Sequence, residues 1–494
     1  MILRPGCCIL APRGRIVKRG WIVGLTMLCA GGGWAEPGTE AGAQPQGASA
    51  LEWSFGAELT LAPSLIDEQP RVYDNLHSAL RYDYGFAHVV ADLSLLNDQK
   101  YTPYEVYTLG RYFFINAGGM VLDFGVLEVS GGRLPHRDLV DSPYSLFISS
   151  HAQPAILADI TFRGGPFTYE TRWVRLNTRS SAGYPDRGAN YKVFAVQVGD
   201  WRFGLQDSAV YVDRVFDEEY FFSPIPNIIT QMVSKGSGKP WGEDANDNSL
   251  LGLFVERQRP ESYLYAQWLV DDINLDFLIP DSLRDEFGNP KIPQKMAWSL
   301  GGSYRFPFGR LGFYHAGATK YTFESLDLGN QYGYTYYPDV EYKLGDGTPL
   351  ALAEEDNYIG YLHGENNLAF LADFARRLGP VDFTASLEYV VSGSKSPANP
   401  WHQFDNVGDT GRNTLLLDDP VLEHKITGAV SASWPWRSWR FYSRLRLGAA
   451  FNRLALVEAV PFEPKIFRPQ PGEHVPIYAW TLGFSYLWKI GAGR

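Results

Sequence analysis

Residues 478 to 490 read Tyr478-Ala479-Trp480-Thr481-Leu482-Gly483-Phe484-Ser485-Tyr486-Leu487-Trp488-Lys489-Ile490, and the alternation in this stretch decides the fold. Successive side chains of a β-strand point to opposite faces. Tyr478, Trp480, Leu482, Phe484, Tyr486, Trp488 and Ile490 therefore share one large apolar face, and Ala479, Thr481, Gly483, Ser485, Leu487 and Lys489 share a smaller, more polar one. A strand with lipid on one side and water on the other has this pattern.

The preceding hairpin repeats it. Ile426, Gly428, Val430, Ala432 and Trp434 alternate up to a turn at Pro435 to Ser438, and Trp439, Phe441, Ser443, Leu445, Leu447, Ala449 and Phe451 alternate after it. Tight turns are also expected at Gly199-Asp200, Pro307-Phe308-Gly309 and Gly379-Pro380. Long polar segments at about 213–249, 273–295, 323–365, 393–423 and 452–475 separate these hairpins. Short turns thus alternate with long loops, the asymmetry of outer-membrane barrels with tight periplasmic turns and extended extracellular loops. A soluble sandwich does not require it.

Alternating runs are expected near 51–61, 76–84, 87–96, 104–115, 119–129, 156–164 and 167–177, with others beginning near 191, 201, 250, 262, 296, 311, 366, 381, 424, 439 and 476. The predicted fold is an all-β transmembrane antiparallel barrel over residues 51–490, of about eighteen strands with sixteen as the alternative. An even count returns both termini to the periplasm. After residue 35 no run of about eighteen apolar residues remains, so a helical span is excluded, and a closed barrel is the other way to satisfy every backbone polar group in lipid. Aromatic residues at 15% and 50 glycines among 494 residues suit a barrel with interfacial girdles.

Residues 1–35 read as an export signal. Arg4, Arg13, Arg15, Lys18 and Arg19 precede the short apolar run Trp21 to Ala30, and Gly33-Trp34-Ala35 supplies small residues before a cut. Residues 36–50, rich in Gly, Ala, Gln and Pro, read as a flexible periplasmic tail. Cys7, Cys8 and Cys29 all fall within the signal, so no disulfide is expected in the mature chain. That chain would carry 39 Lys and Arg against 55 Asp and Glu, a net charge of −16 that argues against nucleic acid as a partner.

Little points to catalysis or to a metal or other cofactor, and none of these is expected. The nine histidines are dispersed without metal-ligand spacing. Asp271 and Asp272 point to opposite faces if their strand continues, and Glu354, Glu355 and Asp356 read as a solvated acidic run. Arg172 and Arg175 likewise fall on opposite faces, so one of them at most lines a lumen.

Thr481, Gly483, Tyr486 and Trp488 match the polar-x-glycine-x-x-aromatic-x-aromatic signal read by the outer-membrane assembly machinery, which together with outer-membrane lipid is an expected partner. Tyr332, Tyr334, Tyr336, Tyr337 and Tyr342 interleave with acidic and amide residues in a segment expected to be an external loop. Aromatic faces stack on pyranose rings while neighbouring acceptors take hydroxyl protons. The other reading of each ring is girdle or loop packing.

The stretches Trp241-Gly242-Glu243-Asp244, Asn246 to Gly252, Tyr263 to Asp272 and Leu300-Gly301-Gly302 resemble the capsule-assembly Wzi-type outer-membrane proteins. Thr168 to Leu176 with Trp201 to Tyr211 is similar in layout. The resemblance implies an eighteen-stranded barrel whose external elements occlude the pore and hold surface polysaccharide, which adds Trp241 and Asp244 to the tyrosines as candidate glycan residues. A monomeric surface lectin is the expected function. A porin-like channel with inward-folded loops is the alternative.

Overall fold

Eighteen antiparallel strands form one sheet that closes on itself. The computed structural model describes residues 49–64, 68–98, 100–101, 109–151, 153–178, 180–235, 240, 247–272, 294–324, 332–344, 347, 354–396, 415–458 and 465–491. The expected export signal and nearly all of the tail lie outside them.

The strands are β1 (Ser49–Pro63), β2 (Pro70–Tyr84), β3 (Ala87–Leu96), β4 (Tyr112–Asp123), β5 (Leu127–Pro135), β6 (Pro154–Gly164), β7 (Phe167–Asn177), β8 (Arg187–Val198) and β9 (Trp201–Val212). They continue with β10 (Asn248–Gln258), β11 (Ser262–Asp272), β12 (Lys295–Phe306), β13 (Gly309–Ala318), β14 (Asn367–Leu378), β15 (Val381–Ser392), β16 (Glu423–Trp436), β17 (Trp439–Phe451) and β20 (His474–Gly491). Each pairs with its neighbour in sequence, and β20 joins β17 to β1. Between β17 and β20 lies a separate hairpin, β18 (Leu454–Glu458) with β19 (Lys465–Pro469).

The expected strands stand, with one correction. Runs placed near 104–115 and 119–129 are instead Tyr112–Asp123 and Leu127–Pro135. The turn is Phe124-Gly125-Val126, where Gly125 adopts φ +84°, open to glycine without strain. Gly119 lies inside a strand because the β4 and β5 backbones approach closely there, and a Cβ on it would collide with the Gly131 carbonyl oxygen. A Cβ on Gly132 would collide with the Gly118 carbonyl oxygen.

The alternation of the last strand sorts lipid from lumen. Trp480, Leu482, Trp488 and Ile490 are exposed on the outside of β20. At the closing seam Trp53 stands opposite Trp488 and Phe55 opposite Tyr486. Their ring centroids lie 6.0 and 5.4 Å apart, and Trp439 meets Tyr486 edge-on at 4.9 Å. Behind this girdle the Thr60 and Thr481 hydroxyls meet at 2.9 Å. Gly483 leaves room for the Tyr442 ring, which a Cβ would strike. The four assembly-signal residues thus divide between the two faces: Tyr486 and Trp488 outside, Thr481 and Gly483 inside.

Both ends of the chain described, and the short turns at 85–86, 199–200, 379–380 and 437–438, lie at one rim; the long connections lie at the other. These long connections are not all external. Residues 136–151, between β5 and β6, and residues 332–336 and 354–366, between β13 and β14, fold into the barrel and share one buried cluster with inward side chains of β6 to β15.

Candidate functional site

The interior packing begins with an apolar run, Leu146-Phe147-Ile148, in a connection that would carry no such run if it faced water. Leu146 and Phe147 are 0% exposed. Asp138 anchors the loop, accepting from the Phe147 N–H at 3.1 Å and from the Gln267 amide of β11 at 3.0 Å. Gln267 in turn accepts from the Leu146 N–H at 2.9 Å, and Ser142 donates to the Tyr265 hydroxyl at 2.5 Å. Four strands further round the wall, Tyr144 donates to Glu388 of β15 at 2.8 Å. One loop therefore satisfies its buried polar groups on strands from β11 to β15, as a water-free layer requires.

The second segment locks onto the first. The Tyr334 hydroxyl donates to the Phe147 carbonyl at 2.8 Å, Ser149 N–H to Ile359 at 2.7 Å and Tyr361 N–H to Leu146 at 3.2 Å. Gly360 lies so close to the Leu146 carbonyl that a Cβ would collide with it. Arg187 of β8, fully buried, donates to the Gly333 carbonyl at 2.7 Å. On the far side Lys425 of β16 pairs with Glu355, and His363 Nε2 stands 3.0 Å from Glu388. Burial opposes ionisation of Glu355, yet Lys425 and His363 hold its carboxyl well below 4.5. The two segments form a plug.

Beneath the plug an ion-pair group occupies the lumen face of β6 and β7, where Arg172 meets Glu170 at 2.5 Å and Asp159 at 2.9 Å. Arg172 is the arginine that lines the interior. Near it His136, 3% exposed, meets the Tyr336 hydroxyl at 2.6 Å. Burial first, then the Arg172 charge, lowers the His136 pKa to about 3, so the ring is neutral.

Above the plug, at the long-connection rim, tyrosines gather from three connections. Tyr184, before β8, stacks on Tyr342 with centroids 5.0 Å apart and 17° between planes. Tyr342 meets Tyr337 at 5.4 Å, and the Tyr337 and Tyr101 hydroxyls are 3.2 Å apart. Asp339 accepts from the Tyr184 hydroxyl at 3.2 Å, and Asp356 pairs with Lys100 at 2.7 Å. Burial first, then Asp339, pushes the Tyr184 hydroxyl up to about 12, which keeps it a donor. Next to this cluster β18 and β19 pack Leu454, Leu456 and Phe467 onto Val340, and Lys465 pairs with Glu341 at 2.9 Å.

The expected external tyrosine platform therefore divides. Tyr337 and Tyr342, half-buried, belong to the rim cluster. Tyr332 and Tyr334 are buried, and Tyr336 is committed to His136 inside the plug. For Tyr334 the expectation of a free stacking ring is corrected, because a hydroxyl bonded to Phe147 and a ring 1% exposed cannot meet a ligand. Trp241 and Asp244 lie outside the described residues. Tyr101 and Tyr184 were missed, since they stand in two other connections and only the fold brings them to Tyr337 and Tyr342. Of the acidic groups set aside earlier, Asp271 pairs with Lys295 at 3.3 Å and Glu355 with Lys425.

Among solved structures the chain resembles Wzi, an outer membrane protein involved in group 1 capsule assembly in Escherichia coli and a carbohydrate-binding β-barrel, with a TM-score of 0.52 and 10% identity over 89% of this chain and 84% of that one. It also resembles OccAB4 of Acinetobacter baumannii, with a TM-score of 0.44 and 10% identity over 90% of this chain and 99% of that one. The figures for OprD of Pseudomonas aeruginosa are 0.43 and 10%, over 90% and 96%. No protein-family model and no curated protein sequence matches the chain. Likeness at these identities is likeness of fold. The protein is an outer-membrane β-barrel of eighteen strands.

Proposed function

We propose that this barrel is occluded and holds a surface polysaccharide at its outer rim. The observation that carries the reading is the plug, which packs Leu146, Phe147, Tyr334, Tyr358 and Tyr361 into one buried layer and is tied to Arg187 of β8 and to Lys425 of β16, eight strands apart in the eighteen-stranded ring. The rim cluster supports it chemically. Stacked and tilted tyrosine rings, with the carboxylate of Asp339 among them, combine the apolar surface and hydroxyl acceptors that sugars require. Capsular polysaccharide is the proposed glycan class, by analogy of fold with Wzi.

A channel is the second reading, and one observation favours it. On β17 the outward residues Phe441, Leu445 and Leu447 alternate with Arg440, Arg444 and Arg446, so arginines face the lumen.

Two measurements on the refolded barrel separate the readings. Planar-bilayer recording is expected to show no stable conductance steps of porin size, and a glycan array is expected to show retained capsular polysaccharide. Stable steps without glycan retention would replace the lectin reading with the channel.

A further inference from the structure

The connection from β9 to β10 does not rise away from the barrel. It lies on the outer wall. Strand parity fixes the side: Lys192 of β8 and Asp207 of β9 are register partners and share a face with Val198, Trp201 and Phe203, all exposed to the outside. Tyr191 and Gln206, one residue away, face the lumen and bond one another at 2.7 Å. Over the outward face pass two short helices, α1 (Glu218–Phe222) and α2 (Asn227–Thr230), and the turn Gln231–Lys235.

The wall beneath them is polar. Thr171 donates to the Phe221 carbonyl at 2.9 Å, and Lys192 to the carbonyls of Ser223 and Ile225 at 2.7 and 2.6 Å. Asp207 accepts from the Ile228 N–H at 3.3 Å. Trp173 donates to the Val215 carbonyl at 2.6 Å, and Gly188 makes room for that carbonyl, which a Cβ would strike. With about 3.3 Å per residue and a tilt of about 40°, the rise from Val198 back to Lys192 places the ammonium roughly 15 Å above the short-turn rim, within an apolar band about 25 Å tall. A lysine and an aspartate at that height would face hydrocarbon if uncovered.

The outer side of the flap has the opposite character. From Glu219 to Lys235 every exposed residue is apolar: Phe222, Pro224, Ile225, Ile229, Met232 and Val233. We propose that this face is seated against the acyl chains of the bilayer, so that the flap replaces, over β7 to β9, the lipid surface that those strands do not provide. Two features favour lipid as the occupant. The face continues the lipid-facing belt of Phe167, Phe203 and Leu253. From Phe222 to Val233 it also presents no charge, and lipid requires none; exposed Glu218 and half-buried Glu219, the latter 3.5 Å from Lys235, stand at its start.

The test uses the full chain refolded into phosphatidylcholine vesicles, with Cys7, Cys8 and Cys29 replaced by serine and one new cysteine, Ile229→Cys, carrying a nitroxide. Leu253→Cys serves as the lipid reference and Lys343→Cys as the water reference. Spin relaxation at position 229 is expected to match the lipid reference, with high accessibility to oxygen and low accessibility to a water-soluble nickel chelate. A nickel accessibility like that of position 343 would overturn the proposal, as would low accessibility to both reagents with intermolecular dipolar broadening, the signature of a second copy on this face. Phe222→Cys, on α1, is measured alongside, so that failure of one variant to fold still leaves a reading.

Discussion

The Tyr334 hydroxyl donates to the Phe147 carbonyl at 2.8 Å across 187 residues of sequence, and this bond joins the two segments that pack inside the barrel. Tyr334→Ala removes both the bond and the ring. Large-to-small changes of aromatic residues in packed sites cost about 3–5 kcal/mol, whereas Tyr334→Phe forfeits one hydrogen bond, about 1 kcal/mol. The alanine variant is expected to keep the heat-modifiable mobility of a folded barrel and to show flickering conductance in a planar bilayer, with the phenylalanine variant close to wild type. An alanine variant as silent as wild type would show that this contact does not hold the plug.

Acid should loosen the plug in two stages. The unfolded chain protonates a histidine below about 6.5, while buried His136 resists until about 3, so its contribution is intact above 6.5 and erodes through that window by at most about 1.4 kcal/mol per pH unit. The Glu355 carboxyl is displaced the other way, so the stability it lends is full above 4.5 and is lost as pH falls toward its depressed folded value. Hydrogen exchange of residues 354–366 is the measurement. Protection should begin to fall below about pH 6.5 in the wild type and, in His136→Gln, hold until about pH 4.5.

Lys425→Met leaves Glu355 buried beside His363 without its lysine. Removing one partner of a buried pair costs about 3–5 kcal/mol, whereas replacing both partners by apolar residues of similar size is often close to neutral. The double variant Glu355→Leu/Lys425→Met should therefore recover plug protection that Lys425→Met loses. Equal loss in both would show that the packing of these chains, and not their charge, sustains the site.

At the seam, Tyr486→Asp with Trp488→Asp places two carboxylates on the lipid face opposite Phe55 and Trp53. Each charge costs up to about 2–4 kcal/mol at the midplane and less toward the interface. The variant is expected to fail to acquire heat-modifiable mobility, and normal mobility would contradict the closure shown here.

At the rim, Tyr184→Ala with Tyr342→Ala is expected to lower polysaccharide retention about tenfold, at about 0.5–1.5 kcal/mol per stacking ring. The phenylalanine pair keeps the rings and is expected to retain most binding. Unchanged retention in the alanine pair would move the glycan site elsewhere.

Strands were legible because lipid and water impose a period of two that a loop has no reason to keep, and turns such as Gly199-Asp200 and Gly379-Pro380 because their glycines adopt positive φ. The run placed near 119–129 ran through the turn at Phe124-Gly125-Val126, because Val121, Phe124 and Val126 are as apolar as the strands they join. The plug was less legible. Tyr334 in a packed interior and Tyr342 at an open rim carry the same letter, and burial depends on where the connection is led. The signal available was Leu146-Phe147-Ile148, an apolar run between strands with no lipid-facing alternation. The rim cluster could not have been read, since Tyr101, Tyr184 and Tyr337 meet through pairing of distant strands.

The seam between β1 and β20 has a kinetic consequence. Thr60 and Thr481 bond across 421 residues, so the ladder that closes the barrel is also the contact of highest order in the chain. This seam cannot zip until the last strand has arrived, and loop-closure entropy makes so distant a pairing slow. During that wait both rows of unpaired backbone groups, on Trp53's strand and on Trp488's, are open edges that invite association with other chains. The plug segments gain their partners on β8 and β16 only once those strands stand across the lumen from one another, so the order of events in assembly is written into which strands are neighbours.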